Sequence, residues 1–148
     1  MRKFLSPILN VINLILVSIA WGLSGQSAVK DAVVESHPAS GNMYQVVWMG
    51  QKANILGIVG FLLFCVACFG LLIAFLPLKV RKFVACLNGL MFAGAGVLLL
   101  LSPKFYCAGS GQFTLTGAFI AICVLILCAA LFSLCMAALE FTAKKESK

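Results

Sequence analysis

Four apolar runs, at 4–23, 53–76, 83–101 and 113–139, fill most of this chain, and none holds a charged residue. The hydrocarbon core of a bilayer takes roughly 20 apolar residues of helix to cross. Backbone groups left unpaired in lipid are costly, so runs of this kind must be helical. The pattern predicts an all-α membrane protein, a four-transmembrane-helix bundle forming a single membrane domain over 1–148. A long loop at 24–52 and a short one at 102–112 then lie on one side of the membrane, and a turn at 77–82 on the other.

The first run follows Arg2-Lys3, as a secretory signal would. It exceeds the roughly 7–15 apolar residues of a signal peptide and is read as a retained span. Within the long loop, 28–35 reads as a short interfacial helix, and His37-Pro38 and Gly41 break it. Residues 43–49 carry Tyr44 and Trp48 and read as an aromatic anchor at headgroup level. A strand is the lesser reading there, because no partner strand is evident. The short loop, with Pro103 and Tyr106, reads as a turn.

Composition agrees with a lipid solvent: mean hydropathy is +1.11, and 63% of residues are apolar, against about 45–50% in soluble domains. A net charge of +7 would suit nucleic acid, but its distribution points elsewhere. Arg2, Lys3, Lys79, Arg81, Lys82, Lys144, Lys145 and Lys148 fall on one side of the expected topology, and only Lys30, Lys52 and Lys104 on the other. That asymmetry predicts cytoplasmic N and C termini. The expected partners are membrane lipids, with anionic headgroups meeting the basic side, and other membrane proteins or further copies of the chain. No nucleic acid is expected.

Small residues recur at four-residue spacing. Ala85, Gly89 and Ala93 line one face of the third run, and Gly117, Ala121, Ala129, Ser133 and Ala137 follow along the fourth. Such stripes let helix backbones approach closely in lipid, so the third and fourth helices should be tightly packed. Asn10, Asn13 and Asn88 are polar groups inside apolar runs. An unpaired amide in hydrocarbon is costly, so these three should face the bundle interior and bond to one another, to backbone or to Ser18. A short echo relates Cys65-Val-Ala-Cys-Phe-Gly-Leu71 to Cys128-Ala-Ala-Leu-Phe-Ser-Leu134.

Catalytic chemistry finds little footing. No acidic, basic or His residue lies at bilayer depth, where proton relays and ion-coupled carriers need one. His37 is the only histidine, too few for a metal site, and no Ser or Cys has an evident base. Glu140 lies just past the fourth run, suited to pairing with a lysine. Six of the seven cysteines lie within apolar runs and read as packing residues, with Cys107 the exception. Cys65 and Cys68 form a C-x-x-C, but in mid-span rather than at the surface where a thiolate forms. No metal or cofactor is expected.

In layout the chain resembles the tetraspan plan shared by claudins and tetraspanins. Trp21-Gly22-Leu23-Ser24 is similar to the start of the claudin loop signature, without its second Trp or paired loop cysteines. The tetraspanin Cys-Cys-Gly is also absent. The expected role is a non-enzymatic structural or accessory component of a plasma or bacterial inner membrane, with Tyr44 and Trp48 as contact anchors. A small oligomeric transporter or channel subunit for a neutral or lipophilic solute is the alternative, and a membrane thiol redox protein is more remote.

Overall fold

The computed structural model describes residues 2–30, 40–49, 54–75, 81–106 and 113–143. Among the described residues the protein is mostly helical, and four helices are long and apolar enough to span a membrane. They are α1 (Arg2–Leu23), α3 (Ile55–Ile73), α4 (Arg81–Leu101) and α6 (Gly117–Ala143). Around the bundle α1 packs along α6, α6 along α4, and α4 along α3, while α1 meets α3 at only a few points.

The remaining elements cap one end, and here the structure departs from the sequence reading. Residues expected to begin an interfacial helix instead form strand β1 (Ser27–Lys30), while 31–35 lie outside the described residues. β1 pairs antiparallel with β2 (Gly41–Asn42) on one side and β3 (Thr114–Leu115) on the other, in the order β2-β1-β3. A small sheet therefore joins the helices, so all-α describes the bundle and not its cap. Its partners come from the long loop and from the start of the fourth apolar run, and two-residue strands leave no alternating pattern to read. Thr116 secures the junction: its N–H donates to Ala28 O at 3.0 Å, its hydroxyl donates to Ser27 O and Ala28 O, and its Oγ1 accepts from Phe119 N.

Residues 43–48 are not a strand but a helix. Met43–Trp48 form the short helix α2, begun by a capping box in which Asn42 Oδ1 accepts from Gln45 N at 3.0 Å and Gln45 Oε1 accepts from Asn42 N at 2.9 Å. Met43, Val46 and Val47, at helical spacing, are buried and continue the bundle core. One turn of helix, α5 (Pro103–Tyr106), occupies the start of the short loop, and Cys107 lies outside the described residues.

Asn54 fastens α2, α3 and α5 together. Its Oδ1 accepts from Gly57 N at 3.0 Å as the N-cap of α3, and its Nδ2 donates to Val46 O at 2.7 Å and to Ser102 O at 3.1 Å. It is 2% exposed. The cap explains why α3 starts at Ile55, inside the apolar run.

Close approach between helices follows several of the small residues. A Cβ added at Gly89 would lie 2.6 Å from Leu134 Cγ, and one at Gly96 2.8 Å from Leu127 Cδ2, so α4 and α6 meet at glycine. Gly60 brings α3 as near to Leu98 and Leu99 of α4. Ala85, Ala129, Ser133 and Ala137 are buried, and Ala93 and Ala121 half-buried. Gly117 corrects the expectation: it is exposed at the first turn of α6, and a Cβ there would touch nothing. The strand at Thr114–Leu115 delays the start of α6 and leaves that end of the stripe outside the packed region.

Candidate functional site

Two features stand out in the bundle: a buried layer of amides and an open seam between α1 and α3. On α1, Ser6, Asn10, Asn13 and Val17 fall on the inward face at helical spacing, and all four are buried. Asn10 Nδ2 donates to Leu71 O of α3 at 3.2 Å, and Asn13 Nδ2 donates to Ser133 Oγ of α6 at 2.9 Å. Asn88 of α4 sits against Gly70 of α3 so closely that a Cβ at position 70 would lie 2.0 Å from Asn88 Oδ1. The expected convergence of Asn10, Asn13 and Asn88 is thus mediated by Gly70, Leu71 and Ser133 rather than by bonds among the asparagines. Ser18 takes no part, since its hydroxyl donates to Leu14 O on its own helix.

The layer divides the core. On the sheet side lies a large apolar cluster including Val17, Phe64, Phe92 and Ile126; on the other lies a small one of Ala74, Ala85, Met136 and Ala137. Asn10 Oδ1, Asn13 Oδ1 and Asn88 Nδ2 are buried without a hydrogen-bond partner among the described residues. An unsatisfied buried polar atom costs about 1–3 kcal/mol, more than the roughly 0.6 kcal/mol that an interhelical hydrogen bond returns in a membrane. The sequence echo meets here: Gly70 and Ser133 occupy corresponding places in the two similar segments, and each receives an asparagine from a neighbouring helix.

Beyond the small cluster a polar clasp joins three helices. Arg81 Nη2 donates to Ser6 Oγ at 2.8 Å, and Ser6 Oγ donates to Glu140 Oε1 at 2.6 Å. Arg81 Nε lies 2.9 Å from Glu140 Oε1, close enough for an ion pair but not aligned as a hydrogen bond. Among the described residues Glu140 therefore pairs with an arginine rather than the expected lysine. Lys82 instead lies over the Phe141 and Phe83 rings at 4.6 and 4.9 Å. With the clasp side chains 24% and 22% exposed, an Arg81→Ala/Glu140→Ala double-mutant cycle should give a coupling of about 1–2 kcal/mol. Unfolding in detergent should show that coupling shrinking as salt is added; a salt-independent coupling near zero would refute the pairing.

The seam is closed at both ends and open between. At the sheet end Trp21 packs against Phe61 and Phe64, with ring centroids at 5.8 and 5.4 Å. At the other end Asn10 holds Leu71. Between them lies a groove of about 410 Å³, walled by Leu14, Val17, Ser18 and Trp21 of α1 and by Cys65, Cys68, Phe69 and Leu72 of α3. Its surface is almost wholly apolar, and Phe69 at its rim is 67% exposed.

Of the two expected anchors, Tyr44 is tied into the fold: its hydroxyl lies 3.0 Å from Ser24 Oγ, and its ring meets the edge of Phe61. Trp48 also contacts Phe61 but is 54% exposed, beside the equally bare Met49. Cys65 and Cys68 are free thiols on the groove wall. Among the described residues no three His, Cys, Asp or Glu side chains gather as a metal set would.

Reading the sequence did not reveal the seam, Asn54 or the clasp. Asn54 did leave a signal, an amide directly before an apolar run, where an N-cap belongs. Arg81 and Glu140 also sit at the matching ends of two antiparallel helices. The gap between α1 and α3 had no comparable mark, since nothing in the sequence sets its mostly apolar wall residues apart from those that pack helix against helix. Compared with family models, curated proteins and solved structures, the chain matches none.

Proposed function

We propose that this chain is a multi-pass integral membrane protein with cytoplasmic termini, acting without catalysis as a structural or accessory component that binds other membrane components. The α1/α3 seam is the binding surface in this reading, and the groove between Trp21 and Asn10 is the observation that carries it. A bundle that closes three of its four helix pairs and joins the fourth only at its two ends leaves a defined apolar slot between them. In lipid, association relies on close packing and not on expulsion of water, and such a slot offers more packed contact than a convex helix face. The preferred occupant is a transmembrane helix of another protein, with a lipid chain as the simpler alternative. Trp48 and Met49 extend the contact surface beyond the bundle. The basic residues clustered at one end support the orientation.

A photo-crosslinker in place of Phe69 should capture one stoichiometric membrane protein, and the same group at Leu90, exposed on α4, should not. Cys68→Trp, which fills the groove, should abolish the adduct while leaving the bundle folded. Thiol labelling at residues 79 and 145 should be confined to the cytoplasmic side. Equal adducts from both positions, unaffected by Cys68→Trp, would sink the proposal. Measurable flux of a neutral solute in proteoliposomes would favour the transporter reading instead.

A further inference from the structure

We propose that the amide layer of Asn10, Asn13 and Asn88 is a binding site for water, held between the two halves of the core. This does not rest on the seam or on the function assigned to it. Three observations support it. The amides are 0, 0 and 1% exposed, so bulk solvent does not satisfy them. Each keeps one buried polar atom without a partner among the described residues: two acceptors, Asn10 Oδ1 and Asn13 Oδ1, and one donor, Asn88 Nδ2. The three are gathered at one level, because Asn10 and Asn88 reach α3 at the consecutive residues Leu71 and Gly70, and Asn13 lies one helical turn from Asn10.

The chemistry of the unsatisfied atoms selects the guest. Two acceptors and one donor complement a small molecule that offers two protons and a lone pair. Water does this with a single oxygen, and buried water typically makes about three hydrogen bonds to such groups. A cation would be opposed by the Asn88 N–H, and an anion by the two amide oxygens. The guest is therefore neutral. Gly70, in contact with Asn88, and the apolar clusters on either side of the layer keep it small. Ser6 lies one turn from Asn10 on the same face of α1 and is bonded into the Arg81–Glu140 clasp.

The test uses the full chain in nanodiscs, with asparagine side chains labelled with nitrogen-15 and magnetisation transferred from water to the side-chain NH2 groups. The Asn88 NH2 should show a strong water cross-peak. The Asn54 NH2, whose donors go to Val46 O and Ser102 O, serves as a dry internal reference and should show none. In an Asn10→Leu/Asn13→Leu variant the Asn88 cross-peak should weaken several-fold. An Asn88 signal as dry as that of Asn54 in the unmodified protein would overturn the proposal, whether or not the variants fold. So would a cross-peak unchanged in a folded double variant, because the site would then not be shared.

Discussion

Gly70→Ala should be among the most damaging single-methyl changes in this protein. The added Cβ would fall 2.0 Å from Asn88 Oδ1, well inside contact distance, so the Asn88 side chain, 1% exposed in the buried layer, would have to shift. Overpacking of this kind costs about 1–3 kcal/mol. The cause is specific and therefore reversible: Asn88→Ala removes the obstructing amide. In denaturant or thermal unfolding of the detergent-solubilised protein, the double variant should be more stable than Gly70→Ala alone, with a coupling of about 0.5–3 kcal/mol. If Asn88→Ala simply adds its own loss, α3 and α4 are not in contact at this point. The comparison with Gly94→Ala sharpens the test, since a Cβ there meets only Leu63 Cδ1 at 3.4 Å and should be nearly neutral.

Asn54→Ala should cost about 2–4 kcal/mol, the sum of a lost helix cap and the loss of the Nδ2 donor to the buried Val46 carbonyl, while Ser102 O keeps Phe105 N as a donor. Asn54→Asp separates the two contributions. Aspartate caps a helix as well as asparagine does, so a purely capping role predicts little change. Here Nδ2 donates to both Val46 O and Ser102 O, and a carboxylate can donate to neither. Asn54→Asp should therefore be at least as destabilising as alanine, and the loss should appear first as release of α2 and α5, read by proteolysis near 43–49. A near-neutral Asp variant would show that the two carbonyl contacts contribute nothing.

The four long helices could be read directly from the chain because lipid-length apolar runs have few other solutions. Their ends were less accessible, since they depend on single polar groups such as Asn54 and Thr116, which composition averages away. The sheet was missed for a different reason. β1 pairs on one edge with Thr114 and Leu115, far along the chain, and on the other with only Gly41–Asn42, and local propensity carries no trace of such partners. α2 was better marked than it was read: Asn42 and Gln45 spell a capping box, and Met43, Val46 and Val47 have helical spacing. The asparagines were correctly expected to face inward, but their partners, Leu71 O and Ser133, are a backbone atom and a small hydroxyl that no pairing of conspicuous polar residues would select. The seam escaped altogether because it comes from which helices fail to meet, a property of the assembled bundle.

The joint between Thr116 and Ala28 spans 88 residues of chain, and this has a bearing on biosynthesis. As the polypeptide leaves the ribosome, the strand after the first helix emerges long before the segment that completes its sheet. Until the last helix arrives, that strand carries unpaired edges of the kind that invite misassembly. Closing the cap is thus among the final steps of maturation, and a chain truncated before residue 114 would present to quality-control machinery an edge that the finished molecule conceals.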